Sequence, residues 1–322
     1  MGPYKREDFA NAMDIRWCPG CGDYAILNAL QRVLPEFNLP PEKHVFISGI
    51  GCAGRFPYYM NTPGFHTIHG RAPAVATGLK TMREDLTVWV ITGDGDALSI
   101  GGNHFIHALR RNVNLKLLAF NNQVYGLTKG QFSPTSQAGQ VTKTSPEGLV
   151  QNPLNPLVLA LSAGATFVAR GLDKDPPLLM ELFRAAYAHQ GLAFIEIYQD
   201  CHIFNAGAFD QFSLKTNRLA NTLPLTANQA LLFGAHAEEA IVREGSVWRR
   251  GAKGDKATVR HDPSNWMQAM QLAKLTFPEF PVPVGVYYQV QQPVFSTPRQ
   301  LACSEQALAD FYRAKACWQF GK

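Results

Sequence analysis

Leu86-Thr87-Val88-Trp89-Val90-Ile91-Thr92-Gly93-Asp94-Gly95-Asp96 decides how this chain folds. Its first half is a continuous β-branched and aromatic run, as in a strand covered on both faces of a parallel sheet. Its second half is a glycine turn of the kind that lets backbone approach a ligand closely. A helical stretch follows Gly101-Gly102, so a helix N-terminus, which favours anions, opens just beyond the turn. Further apolar runs at 45–50, 115–120 and 194–198 read as companion strands. Helical stretches near 22–34, 71–84, 103–111 and 177–190 separate them, the last begun by Pro176-Pro177. Strand and helix alternating at this spacing predict an α/β fold with a doubly wound, mostly parallel sheet.

From Asn205 onward that rhythm breaks. Pro278, Pro281, Pro283, Pro293 and Pro298 argue against a regular core element over 279–298. The expected organisation is therefore a domain over 1–205 and an irregular C-terminal extension over 206–322, packed on that domain or on a partner subunit. The chain carries no internal repeat and no low-complexity tract.

Composition narrows the function classes. The 322 residues are 46% hydrophobic and 17% charged, the balance of a globular protein with a buried core. No apolar run approaches the ~18 residues of a membrane span. The N-terminus, Met1-Gly2-Pro3-Tyr4-Lys5-Arg6, lacks the apolar centre of a signal peptide, and Arg6 stands where a myristoylation signal has Ser or Thr. The expectation is a soluble, cytoplasmic protein with neither membrane nor nucleic acid as partner. Net charge is +5, and its one cluster, Arg249, Arg250, Lys253, Lys256 and Arg260, reads first as a solvated loop. Contact with an anionic ligand or an acidic partner is the second reading.

Ligands of open α/β sheets bind at the carboxyl ends of strands, where the Gly93–Gly95 turn lies. Asp94 offers a hard oxygen of the kind Mg²⁺ selects. A single Gly-Asp-Gly turn is weak evidence, since glycine turns often end strands. Asn121-Asn122 strengthens it, because it ends the next strand about two dozen residues later and delivers a second oxygen ligand to the same sheet edge. Asn122 could instead be an ordinary turn residue, and Asp96 is as readily a helix cap as a ligand.

Six cysteines stand at 18, 21, 52, 201, 303 and 317. In a cytosolic chain, metal or redox chemistry is a better expectation than disulfides. Cys18-Pro19-Gly20-Cys21 is a close pair, Cys52 ends the first strand, and Cys201 follows the 194–198 strand. Four thiolates suit a [4Fe–4S] cluster or a structural zinc ion. Zinc sites usually use two close pairs, and only one is present, which favours the cluster. Cys303 and Cys317 read as buried free thiols.

Gly-Asp-Gly followed at that distance by Asn-Asn resembles the signature of thiamine-diphosphate enzymes. Taken with Cys18-Pro19-Gly20-Cys21-Gly22, Ile47-Ser48-Gly49-Ile50-Gly51-Cys52, His69-Gly70-Arg71-Ala72 and the run from Asn121 to Gln131, the chain resembles the β subunit of 2-oxoacid:ferredoxin oxidoreductases over about residues 10–205. The loop Tyr125-Gly126-Leu127-Thr128-Lys129-Gly130-Gln131 looks like that of the 2-oxoglutarate and broad 2-oxoacid members.

The resemblance implies the following roles. Asp94, the side chain of Asn122 and the carbonyl of Val124 would hold Mg²⁺ on the cofactor's diphosphate. Ile50, Gly51, Cys52, His69, Gly70, Gly93, Gly95, Asp96, Gly126, Leu127 and Thr128 would line thiamine diphosphate. A lone histidine such as His69 is as often a hydrogen-bonded structural residue. Cys18, Cys21, Cys52 and Cys201 would ligate the [4Fe–4S] cluster, Cys52 placing it beside the thiazolium ring. Lys129 would help place an anionic substrate.

The implied reaction is coenzyme A-dependent oxidative decarboxylation of a 2-oxoacid, first of all 2-oxoglutarate, to its acyl thioester, in either direction. Electrons would pass through the cluster to ferredoxin. An α subunit would supply the glutamate that activates the cofactor's aminopyrimidine, in an α₂β₂ heterotetramer. Two rivals remain. A non-redox decarboxylase or acetolactate-synthase-like enzyme would leave four cysteines idle, and a zinc-stabilised, non-catalytic scaffold would contain zinc and no iron.

Overall fold

The computed structural model describes residues 3–296, 306, 309 and 310. Cys303, Cys317 and Pro298 lie outside the described residues. The strands are β1 (His44–Ser48), β2 (Gly64–His66), β3 (Thr87–Gly93), β4 (Lys116–Asn121), β5 (Phe167–Leu172), β6 (Ala193–Tyr198), β7 (Thr222–Leu225), β8 (Leu232–Phe233), β9 (Glu239–Glu244), β10 (Val247–Ala252) and β11 (Val282–Gln289). The helices are α1 (Asp23–Val33), α2 (Ala72–Met82), α3 (Gly102–Arg111), α4 (Pro156–Ser162), α5 (Pro176–Ala188), α6 (Asp210–Ser213), α7 (Lys215–Asn221) and α8 (Trp266–Ala273).

Among the described residues, eight strands form one sheet in the order β2-β1-β3-β4-β6-β5-β11-β7. All neighbours are parallel except β11 and β5. The continuous apolar runs exist because both faces are covered. Val88 and Val90 point into one core with α2, α3, α4 and α8, while Trp89 and Ile91 point into the other with α1 and α5. That alternation is the period of two, with neither face left for water. The expected doubly wound sheet is thus present, and the four strands and four helices read from the sequence fall within a few residues of their observed bounds.

Two of the elements that the sequence reading did not place are informative. β5 is interrupted in sequence by Arg170 and Gly171, yet every residue of it is buried. It tolerates Arg170 because the guanidinium donates from Nε to Oε2 of Glu196 on the adjacent β6 at 2.7 Å. The other is β11, which corrects the reading of the proline-rich 279–298 stretch. Pro283 lies where β11 pairs with β7, whereas pairing with β5 begins at Gly285. Its missing N–H therefore costs the ladder little, and β11 joins the sheet with β7 at its edge. Two strands of the 206–322 segment are thus part of the main sheet.

The remaining strands, β8, β9 and β10, form a small antiparallel sheet. Here Arg249 pairs with Glu244 and Arg250 with Glu239, all solvent-accessible, so two of the five residues in the basic cluster belong to a charge-balanced hairpin. No helix among the described residues is long and apolar enough to cross a membrane.

Candidate active site

β3 ends at Gly93 and β4 at Asn121, side by side, so Asp94 and Asn122 emerge at one edge of the sheet. The turn is built for close approach. A methyl group on Gly95 would stand 2.2 Å from the Tyr125 ring, whose hydroxyl donates to the Gly95 carbonyl at 3.1 Å. Gly70 has φ +72°, and a side chain there would meet the Gly101 backbone nitrogen at 2.5 Å.

Asp94 is buried, and the Ser133 and Thr135 hydroxyls both donate to its Oδ2 at 2.5 Å. Burial still dominates and pushes its carboxyl up to about 6, as happens where no cationic side chain faces the group. Asn122 accepts at Oδ1 from the Val124 N–H at 3.1 Å, and its Nδ2 donates to Oε1 of Gln199 at 2.8 Å. A carboxylate, an amide oxygen and the Val124 carbonyl form an all-oxygen donor set, which fits Mg²⁺.

Asp96 proves to be an organiser. Its Oδ1 accepts from the Ile50 N–H (3.0 Å), the Gly70 N–H (2.7 Å) and His69 Nδ1 (2.6 Å), and its Oδ2 from the Thr92 hydroxyl (2.6 Å). It is neither a helix cap nor left with a free oxygen, and it ties the 49–51 and 69–70 loops to β3. His69 is half-exposed at the end of this cluster.

These loops enclose a cavity of about 170 Å³. Ile50, Gly51, Cys52, His69, Gly93, Asp94, Gly95, Asp96, Asn122, Val124, Gly126, Leu127 and Thr128 all line it. Gly70 does not, and acts through its N–H on Asp96. Lys129 is exposed and lines neither this cavity nor the next.

A larger cavity of about 610 Å³ adjoins the first, sharing Ile50, Gly51 and Leu127. It brings in Arg16, Arg55, Tyr58 and His66, none of which the sequence reading singled out. Arg55 follows Cys52 by three residues, and that spacing on the 3₁₀ turn Ala53–Tyr59 was the available signal.

The four described cysteines are free thiols and neighbours. A methyl group on Gly126 would lie 3.5 Å from the Cys201 sulfur and 3.6 Å from that of Cys52. Cys52 and Cys201 add to the raised pKa of Cys21, and Cys201 and Cys18 to that of Cys52. Burial is the main cause throughout, lifting Cys52 to about 12 and Cys21 higher. Asp23, also missed from sequence, is buried beside them. Burial pushes it up to about 7, offset in part by the Cys21 thiol.

Behind the cavity a buried polar chain crosses the sheet. Tyr287 of β11 accepts from Arg170 of β5 (3.0 Å), Arg170 donates to Glu196 of β6, and Asn121 of β4 donates to Glu196 Oε1 (2.7 Å). Removing Arg170 leaves the Glu196 carboxylate buried without its counter-ion, with Asn121 as its remaining hydrogen-bond donor. Arg170→Ala is expected to cost about 3–5 kcal/mol of stability, because it strands the Glu196 charge. Chemical denaturation checks this, and a midpoint shift worth less than about 1 kcal/mol would contradict it.

This fold and this site define an α/β subunit of the thiamine-diphosphate-binding class, and a family model described as thiamine pyrophosphate enzyme, C-terminal TPP binding domain, matches residues 49–197. The chain is 57% identical over 243 residues to the 2-oxoglutarate oxidoreductase subunit KorB of Mycobacterium tuberculosis, covering 76% of this chain and 65% of that relative's length. It is 43% identical over 185 residues to the 2-oxoglutarate synthase subunit KorB of Methanocaldococcus jannaschii, covering 58% of this chain and 68% of the relative. Among solved structures it resembles the 2-oxoglutarate:ferredoxin oxidoreductase of Magnetococcus marinus with 2-oxoglutarate, coenzyme A and succinyl-CoA bound. The TM-score there is 0.75 at 34% identity, covering 100% of this chain and 94% of that one. The chain belongs to the β subunits of the 2-oxoacid:ferredoxin oxidoreductase family.

Proposed function

We propose that this chain, with an α subunit, carries out coenzyme A-dependent oxidative decarboxylation of a 2-oxoacid, with 2-oxoglutarate the first candidate, and passes the electrons to ferredoxin. The observation that carries this reading is that Cys52 and Asp94 line one cavity, so a thiolate ligand and a diphosphate-metal ligand share a wall. Asp94, Asn122 and the Val124 carbonyl would hold Mg²⁺, with Ser133 and Thr135 orienting Asp94. Asp96 would keep the Ile50–Cys52 and His69–Gly70 loops in place around the ring end. Bound there, thiamine diphosphate would supply the electron sink for decarboxylation, and a [4Fe–4S] cluster on Cys18, Cys21, Cys52 and Cys201 a one-electron acceptor.

A non-redox thiamine enzyme explains Asp94 and Asn122 but gives the gathered thiols no work. A zinc scaffold fits less well, because structural zinc sites usually use two close cysteine pairs and Cys18–Cys21 is the one close pair among the four thiols. A cytoplasmic location fits this redox chemistry, because reduced thiols persist there.

Cys201→Ala should lose or destabilise the cluster, and Cys303→Ala and Cys317→Ala should leave iron content unchanged. Iron and sulfide analysis decides. Full iron in the Cys201 variant with loss in the Cys317 variant would overturn the ligand set.

The larger cavity favours Arg55 over Lys129 as the cation for a distal carboxylate. Arg55→Met is expected to raise KM for 2-oxoglutarate by roughly thirtyfold, about 2 kcal/mol for a hydrogen bond to a charged group, with little change for a monocarboxylic oxoacid. Lys129→Met should have a smaller effect. The reverse ranking would return the role to Lys129. The activity itself is tested by assaying the two-subunit complex against a panel of oxoacids. Ferredoxin reduction requiring both 2-oxoglutarate and coenzyme A is expected, and decarboxylation without ferredoxin reduction would support the non-redox rival.

A further inference from the structure

Gln199 has a place in this arrangement that neither set of ligands assigns to it. It stands one residue beyond β6, two residues before Cys201, and is 1% exposed. All its polar capacity that meets the site is used. Oε1 accepts from Asn122 Nδ2 at 2.8 Å, and Nε2 donates to the Cys21 sulfur at 3.3 Å and to the Asp200 carbonyl at 2.7 Å.

The orientation of both amides follows from groups that cannot reverse. The Val124 N–H can only donate, so Asn122 must turn Oδ1 to it and Nδ2 to Gln199. The Asp200 carbonyl can only accept, so Gln199 must present Nε2 to it and Oε1 to Asn122. Nε2 then has one hydrogen left, and it faces Cys21. A second link runs alongside. Asn205 donates from Nδ2 to the Asn122 carbonyl at 2.8 Å, and its own N–H donates to the Cys201 carbonyl at 3.0 Å.

We infer that Gln199 is a positioning residue that couples the diphosphate-metal loop to the cysteine quartet, holding Asn122 with one end of its amide and donating to Cys21 with the other. This rests on the function proposed above. A donor on a ligating sulfur stabilises the more negative, reduced cluster and raises its potential. Oriented support of a metal ligand is worth about ten- to a hundredfold in affinity. The same side chain thus sets the driving force for electron transfer and the hold on the cofactor.

The test uses the complete complex of this chain with its partner subunit, with redox titration followed by electron paramagnetic resonance and calorimetry of thiamine diphosphate with Mg²⁺. Gln199→Leu removes both functions, so the cluster potential should fall and cofactor affinity should weaken about tenfold or more. Gln199→Glu keeps the acceptor for Asn122 and loses the donor to Cys21. Its potential should fall further than that of Gln199→Leu, through the added charge as well as the lost donor. Its cofactor affinity should stay within a few-fold of the parent, and it is this retained affinity that a merely structural role would not produce. An unchanged potential in both variants overturns the inference, as does unchanged cofactor affinity in Gln199→Leu. If Gln199→Leu retains no iron, Gln199→Asn decides, since its amide stops one methylene short and cannot reach Asn122 and Cys21 together. A parental potential and affinity there would also overturn it. A parental complex with no cluster signal or no cofactor binding would instead fail the functional reading.

Discussion

Asp94→Ala is expected to abolish productive cofactor binding while the chain still folds. The carboxylate is the one charged group among the three proposed Mg²⁺ ligands. Truncating one partner of a buried charge pair costs about 2–5 kcal/mol, roughly 30- to 5,000-fold in affinity. The fold should survive, because burial disfavours the charge that alanine removes. Burial raises the Asp94 carboxyl to about 6, so the folded chain holds that proton more tightly than the unfolded chain does. Ionising the group at neutral pH therefore costs stability when no cation is bound, and alanine removes that cost. Asn122→Ala should weaken binding less, since it deletes a neutral ligand. Calorimetry with thiamine diphosphate and Mg²⁺ checks both, and parental affinity in both variants would remove the assignment.

The second large effect is that this chain by itself should turn over at least a hundredfold more slowly than the two-subunit complex. The activating glutamate is worth about 10²–10⁴ as a proton-transfer group. Among the described residues the cavity is lined by Asp23, Asp94 and Asp96 but by no glutamate. Its surroundings also look incomplete in isolation. Ile50, Tyr58, Phe65, Ile68 and Leu127 are exposed large apolar side chains near the site, the kind of surface a partner covers. Such a subunit would bring the glutamate and close the ring end of the cofactor. The chain, reconstituted alone with cofactor, Mg²⁺ and cluster, is to be assayed for oxoacid-dependent ferredoxin reduction. Turnover equal to that of the complex would place the glutamate within this chain.

What the sequence made legible follows from where local chemistry and tertiary context agree. The strand ending in Gly93-Asp94-Gly95, its neighbour ending in Asn121-Asn122, and the close pair Cys18 and Cys21 could be read because each signal is local. β5 was hidden because Arg170 breaks its apolar run, and the partner that makes that burial tolerable, Glu196, lies on another strand. β11 was hidden because Pro283 reads as a breaker, and only the sheet order shows that its position pairs on one side. The site had the same limit. Arg55 and Gln199 each carry no motif, and the roles proposed for them rest on a cavity wall and an amide orientation. Lys129, chosen for its place in a recognisable loop, is exposed and lines neither cavity.

The central claim is that the diphosphate-metal site and the cysteine quartet belong to one electron path. The most direct measurement adds 2-oxoglutarate to the purified complex with thiamine diphosphate and Mg²⁺, without ferredoxin or chemical reductant, and records the electron paramagnetic resonance spectrum. The account predicts a reduced [4Fe–4S] signal that depends on 2-oxoglutarate and is absent from the Asp94→Ala complex. Carbon dioxide release from the oxoacid with the cluster signal unchanged would contradict it.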